Sequence, residues 1–217
     1  MRRKIVIFDL DGTIIDNVEY VWKTLHEYFG IDEHPERVKS MEKFFSKEIT
    51  YQEWAEKDME LLKKHGAKRE TILKALGKAK LMRGAKKTLK ELKGREFKIA
   101  IMSGSLDILL EKFLPDYEKI FDYVFINRII FDEKGEIKQV KATPFDMEHK
   151  KAGMIKLCET EGISPEECVF VGDHDNDIEI AKSAGLSIAF NSKSEKLNEV
   201  SDVVIKKKDL REILKYL

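Results

Sequence analysis

A short run of uninterrupted apolar residues, Ile5-Val6-Ile7-Phe8, ends on Asp9-Leu10-Asp11-Gly12-Thr13. Apolarity without alternation means that both faces of the strand are covered, the condition of a strand inside a parallel sheet. Gly12 lets the chain turn off that sheet. Two later runs end in the same manner. Residues 97–102 give way to Ser103-Gly104-Ser105, and Cys168-Val169-Phe170-Val171 runs into Gly172-Asp173-His174-Asp175-Asn176-Asp177. Further strands are expected over 123–126, 186–190 and 203–205, with a hairpin over 129–140 that turns at Glu133-Lys134-Gly135. Helices over 85–92, 106–113 and 147–160, another reaching about Ala184, and a last one over 210–217 alternate with them. This order predicts an α/β fold, a doubly wound parallel sheet with helices on both faces. Ligands of such sheets bind beyond the carboxyl ends of the strands, where all three polar motifs lie.

The texture changes between about residues 14 and 81. Val18, Val21, Trp22, Leu25 and Phe29 recur at helical spacing, followed by Met41, Phe44 and Phe45, then Trp54, Met59, Leu61 and Leu62, then Ile72, Leu73 and Leu76. The stretch reads as an inserted all-helical cap (14–81) on a core formed by 1–13 and 82–217. Trp22, Trp54, Phe44 and Phe45 read as cap core. His26, His34, His65 and His149 lack metal-ligand spacing and read as surface.

Composition narrows the partners. Forty basic residues balance forty acidic ones, so no global field draws the chain to nucleic acid or an anionic membrane. Lys206-Lys207-Lys208 reads as a solvated run. No apolar stretch is long enough for a bilayer, and Met1-Arg2-Arg3-Lys4 lacks the apolar region and cleavage site of a signal peptide. The two cysteines, Cys158 and Cys168, read as reduced and buried in a cytoplasmic protein. Abundant Lys and Glu with only Gln52 and Gln139 resemble heat-adapted composition.

Asp9, Asp11, Asp173 and Asp177 would crowd one sheet edge. Like charges disfavour each other's ionisation, and a hard cation such as Mg²⁺, bound by oxygen, relieves the crowding. Residues i and i+2 of a strand point the same way, so Asp9 and Asp11 can address one group. A carboxylate can take up a phosphoryl group while its neighbour handles protons. A phosphate dianion also needs a cation, which Lys150 or Lys151 can supply, and donors, which Ser103 and the backbone around Gly104 can supply.

Asp9-Leu10-Asp11-Gly12-Thr13, Ser103, Lys150 and Gly172-Asp173-x-x-Asn176-Asp177 together resemble the four motifs of the haloacid dehalogenase superfamily, along nearly the whole chain. The residues from Leu92-Lys93 to Ser103-Gly104, Asn127-Arg128 and the tail 209–216 are similar to its phosphoserine phosphatase-like branch. The resemblance implies a Rossmann-like core, an Mg²⁺ cofactor and phosphohydrolysis of a small phosphorylated metabolite through an aspartyl-phosphate. By it, Asp9 is nucleophile and metal ligand. Asp11 is general acid/base and ligates through its carbonyl. Asp173 is the third ligand and Asp177 a second acid behind them. Ser103, Gly104, Thr13 and Asn176 hold phosphate or substrate, and Lys150, in the preferred register over Lys151, neutralises it. The cap is expected to hinge near Ile14 and Leu81, and the molecule to be a monomer or homodimer. Phosphotransfer, phosphoserine hydrolysis and a receiver-like phosphorylated switch stand as alternatives. Where the branch carries a Glu for the serine ammonium this chain has Val18, with Glu19 beside it. An ungapped register puts Asp58 where the branch has an Arg. Unpaired buried charge is costly, which argues against phosphoserine itself.

Overall fold

The computed structural model describes residues 4–146 and 149–217. In chain order, strand β1 (Ile5–Phe8) leads into a two-residue strand β2 (Ile15–Asp16). The cap helices follow: α1 (Val21–Tyr28), α2 (Pro35–Phe45), α3 (Tyr51–Lys64) and α4 (Arg69–Ala75), with a 3₁₀ turn at Leu76–Lys78. The chain then returns through β3 (Lys80–Leu81), α5 (Ala85–Gly94), β4 (Lys98–Leu106), α6 (Asp107–Phe113), α7 (Tyr117–Ile120), β5 (Tyr123–Phe131) and β6 (Ile137–Lys141). It closes with α8 (Lys150–Glu161), β7 (Cys168–Gly172), α9 (Ile178–Ala181), β8 (Leu186–Phe190), α10 (Glu195–Val200), β9 (Val203–Ile205) and a 3₁₀ segment, Leu210–Lys215.

Seven strands form one sheet in the order β6-β5-β4-β1-β7-β8-β9. All neighbours are parallel except β6, which runs antiparallel to β5 at the edge. The two-sided burial read from β1 has a direct cause. Val6 and Phe8 join one apolar cluster with Ile99, Ile101, Val169 and Val171, while Ile5 and Ile7 join the opposite one with Ala100, Met102, Cys168 and Phe170. Side chains alternate across the pleat, and each set meets its own layer of helices. Cys158 and Cys168 are both free and buried, their sulfurs 3.4 Å apart.

Several elements depart from the sequence expectation. β4 continues through Ser103-Gly104-Ser105 to Leu106, with a break in register against β5 between Met102 and Leu106. β5 is one nine-residue strand that absorbs both the expected 123–126 strand and the first arm of the hairpin. The last helix is a 3₁₀ segment. The expected start of the 147–160 helix lies outside the described residues, as do residues 1–3. Inside the helical stretch, β2 and β3 pair antiparallel, Ile15 with Leu81 and Asp16 with Lys80. This ribbon binds the ascending and descending chains where the cap joins the core. Asp16 is held there by Lys80 and Lys208, so Lys208 of the basic run is an ion-pair partner.

The cap helices form for local reasons. α3 opens on a reciprocal capping box, in which Thr50 Oγ1 accepts the Glu53 N–H and Glu53 accepts the Thr50 N–H. It buries Trp54, Ala55, Asp58, Met59, Leu61 and Leu62, a stripe at helical spacing that includes one acid.

Candidate active site

β1 ends at Phe8, aligned with Ile101 of β4 on one side and Val171 of β7 on the other. Asp9 follows at once, its N–H donating to the Val171 carbonyl at 2.9 Å. Ser103 and Asp173 lie two residues beyond the aligned pair. The parallel register thus brings residues from three distant segments to one edge. Strand order also reverses at β1, the point where open α/β sheets form their ligand crevice.

Asp9, Asp173 and Asp177 each bring a carboxylate oxygen within 4.8 Å of the others. Behind them, Lys150 has no exposed surface, and its Nζ donates to Asp9 Oδ1 and to Asp177 Oδ1, both at 2.7 Å. Lys151, the other register, is exposed. The second oxygen of Asp177 accepts the N–H groups of Asp173 and His174 at 3.0 and 3.2 Å. Asp177 therefore spends both oxygens on holding the lysine and the loop, while Asp9 and Asp173 keep oxygens for a ligand. Thr13, expected on phosphate, instead donates its hydroxyl to Asp173 Oδ1 at 3.2 Å. Its side chain is fully buried. Gly12 has φ +72°, and a Cβ there would come within 2.0 Å of Asp173 Oδ2, so the turn needs glycine twice over.

Asp11 occupies a different environment. Ser105 Oγ donates to its Oδ1 at 2.6 Å, and the Val21 N–H, in the first turn of α1, donates to its Oδ2 at 2.8 Å. Burial, with help from the charge on Asp9, outweighs these donors and pushes its pKa up to about 7. Burial also raises Asp9 against the pull of Lys150. It lifts Asp173 well above the carboxylate range, helped by Asp9 and Asp177. Burial works against the Lys150 ammonium, but Asp177 and Asp9 outweigh it and push its pKa up. An all-oxygen donor set held above its ordinary titration range by burial first and by mutual repulsion second fits a hard divalent cation. The carboxylates of Asp9 and Asp173, which keep oxygens for a ligand, could hold it.

A stability consequence follows for the metal-free protein. Folded Asp11 titrates near 7 and unfolded Asp near 3.8, so between those values the folded chain keeps a proton the unfolded chain has lost. The resulting stability is complete below about 4 and is lost as pH rises through about 7. In chelator, the gain in melting temperature on going from pH 7.5 to 5.5 should be larger for the wild type than for Asp11→Asn. Equal gains would contradict the raised pKa.

Above the acids lies a cavity of about 1220 Å³ between core and cap. Asp9, Asp11, Ser103, Gly104 and Asn176 line its floor and wall. Trp22, Phe44, Phe45 and Trp54, expected in the cap core, all line it too. Phe45 is 61% exposed. Apolar periodicity marks the inward face of a helix but does not say whether that face meets a neighbour or a cavity. Trp22 Nε1 and Asn127 Nδ2 both donate to the Gly104 carbonyl, at 2.9 and 2.6 Å. Asp146 lies so close over Gly104 that a Cβ there would come within 1.8 Å of its Oδ2. That oxygen accepts the Tyr51 hydroxyl at 2.6 Å.

His26, expected at the surface, is 3% exposed and stands with Nε2 2.9 Å from Oδ2 of Asp58, which is equally buried. It lies one turn beyond Trp22 on the inward face of α1, so the same periodicity that buries the tryptophan buries the histidine. His34 is half-buried, and His65 and His149 are exposed, as expected. His174 is exposed at the cavity edge. Val18 is buried in the core cluster while Glu19 lines the cavity. Ser105 and Asp146 carry no family signal as site residues, since each is placed by a strand or loop remote from Asp9, while Asn127 was marked only by the likeness of Asn127-Arg128 to the phosphoserine phosphatase branch. Only the Ser-Gly-Ser setting hinted at the first.

The family description "haloacid dehalogenase-like hydrolase" matches residues 3–185. A phosphoserine phosphatase of Methanocaldococcus jannaschii is 34% identical over 217 residues, covering 100% of this chain and 98% of the relative. A phosphoglycolate phosphatase of Aquifex aeolicus is 29% identical over 197 residues, covering 86% and 83%. A solved structure of a phospho-aspartyl intermediate analogue of phosphoserine phosphatase aligns with a TM-score of 0.73 at 34% identity, covering 100% of both chains. Fold, family and acid cluster together make this a phosphohydrolase that works through a phosphorylated aspartate. By a match along most of its length, the chain belongs to the haloacid dehalogenase-like hydrolases and is most closely related to their phosphoserine phosphatase branch.

Proposed function

We propose that the chain is an Mg²⁺-dependent phosphomonoesterase in which Asp9 is the nucleophile and Asp11 the general acid and base. The observation that carries this reading is the fully buried Lys150 ammonium, 2.7 Å from Asp9 on one side and Asp177 on the other. It fixes positive charge beside the attacking carboxylate, where a phosphate dianion would otherwise meet only acids. Mg²⁺, held by Asp9, Asp173 and the Asp11 carbonyl, supplies the remaining charge and polarises a phosphoryl oxygen when bound.

The Ser103 hydroxyl and the backbone N–H groups beside Gly104 hold the phosphate. Asp9 forms the new O–P bond as the ester O–P bond breaks. Asp11, protonated near neutral pH, gives its proton to the departing alkoxide. It then takes a proton from water, whose oxygen attacks phosphorus and releases inorganic phosphate with a free Asp9. Ser105 and the Val21 N–H keep the Asp11 carboxyl in one orientation for both transfers. Asn176, half-buried at the wall, orients the ester.

The test is hydrolysis of p-nitrophenyl phosphate. Activity should require Mg²⁺, vanish with chelator and return on Mg²⁺ addition. Ca²⁺ should support it poorly, because its coordination is larger and looser. Full activity in chelator, or with Ca²⁺ alone, would refute the metal assignment.

A further inference from the structure

The cap holds a polar cluster that the hydrolytic chemistry does not use. On α3, Trp54 and Asp58 stand one turn apart, and on α1, Trp22 and His26 do the same; all four line the cavity. His26 Nε2 lies 2.9 Å from Asp58 Oδ2. Asp58 Oδ1 has no hydrogen-bond partner among the described residues, and neither has Oδ1 of Asp146, which faces the same cavity from the core. Both residues are 3% exposed. A buried carboxylate oxygen without a donor is costly, so two of them on one cavity call for a ligand that brings donors or positive charge. Tyr51 links the two walls, its hydroxyl donating to Asp146 Oδ2 at 2.6 Å while its ring meets Trp54, one turn from Asp58.

The walls fit the same ligand. Phe44 stacks on Trp54 with ring centroids 4.6 Å apart and 12° between planes, and Tyr51 meets Trp54 edge-on at 6.0 Å. Aromatic faces attract an ammonium group, most strongly when water is excluded. A carboxylate on the leaving group would find one donor there, the Trp54 indole N–H, which has no partner among the described residues, but little positive charge. Among the described lining residues acids outnumber cations, and Arg37 is taken by Asp32 while Lys23 and Lys47 are exposed.

Resting on the phosphomonoesterase reading, we propose that Asp58 and Trp54, with Asp146 opposite, form a subsite for the ammonium group of an amino-alcohol phosphate. Its substrate class is a phosphate ester of a cationic alcohol without a carboxylate. Asp58 and Asp146 accept from or neutralise the ammonium, the aromatic rings enclose it, and His26 positions Asp58.

The test compares kcat/KM, with Mg²⁺, for phosphoethanolamine, phosphocholine, O-phosphoserine, glycerol 3-phosphate and p-nitrophenyl phosphate. At least one of the two cationic esters should exceed both phosphoserine and glycerol 3-phosphate by at least tenfold. Asp58→Asn, checked for its fold by circular dichroism, should reduce that ratio at least fivefold, mainly through KM. Should it fail to fold, Asp146→Asn serves for the same ratio. Turnover of p-nitrophenyl phosphate with phosphoserine or glycerol phosphate matching the cationic esters would overturn the subsite and leave the phosphatase standing. So would a preference that survives both substitutions. Failure to hydrolyse any of the five esters would overturn both.

Discussion

Asp9→Asn is expected to lower hydrolysis of any phosphate ester by about 10⁴-fold or more, the scale on which loss of a nucleophile is felt. The substitution is nearly isosteric, so Lys150 keeps its bond to Asp177 and the strand tip keeps its shape. What disappears is the carboxylate beside Lys150 and Asp173 to which the proposed mechanism gives the O–P bond. The same change removes one of the crowded acids whose ionisation burial opposes. The variant should therefore melt no lower than the wild type in chelator, since trading a strained functional group for a neutral one tends to stabilise. Steady-state assay and acid-quenched trapping of phosphorylated protein check the two halves. Wild-type turnover above about one part in a hundred in the variant, or phosphate still trapped on it, would remove Asp9 from the role of nucleophile.

Lys150→Met should damage both stability and activity. The ammonium bridges Asp9 and Asp177 with no exposed surface, and removing one partner of a buried ionic group leaves the others uncompensated, at a cost of about 3–5 kcal/mol. For a chain of this length each kcal/mol lowers the melting temperature by about 2–4 °C, so a drop on the order of 10 °C is expected near neutral pH. The drop should shrink on acidification, because a proton on Asp9 replaces the lost charge. Activity should fall with it, since the phosphate loses its fixed counter-charge. Lys151→Met removes an exposed lysine on the next position of the same helix and should leave melting temperature and rate nearly unchanged. A loss in Lys151→Met with Lys150→Met unaffected would show that α8 lies in the other register, and comparable losses would refute the unique role given to Lys150.

These residues also mark what can be read from a sequence. β1, β4 and β7 were legible because strands buried on both faces leave unbroken apolar runs, and their tips carry the polar groups a ligand needs. The Lys150 register was legible only through likeness to a family, because one lysine among many has no local signature. β2 and β3 were not, since two residues hold no period. Neither was the buried state of His26: its position on α1 predicts an inward face, but nothing nearby in sequence shows that Asp58 of α3 stands 2.9 Å from it. Ser105, Asn127 and Asp146 belong to the site through contacts that cross long stretches of chain, 94 residues in the bond from Ser105 to Asp11. No window along the sequence contains such a pair. The aromatic residues of the cap were read as its packed core, whereas they line the cavity and Phe45 is 61% exposed. Whether inward meant packed or vacant was decided by how the cap sits over the sheet.

The two-stranded ribbon at the base of the cap bears on how such a chain can change. Paired strands stand about 4.8 Å apart, so everything between Asp16 and Lys80 leaves and rejoins the core at nearly one point. To the sheet, the intervening roughly sixty residues are a single closed loop, and doubling its length would add only about 0.6 kcal/mol of closure entropy. Lineages can therefore rewrite that loop, in size as well as in side chains, while the machinery beneath it stays put. The cap helices and the strand tips thus sit on parts of one polypeptide that selection can alter at different speeds.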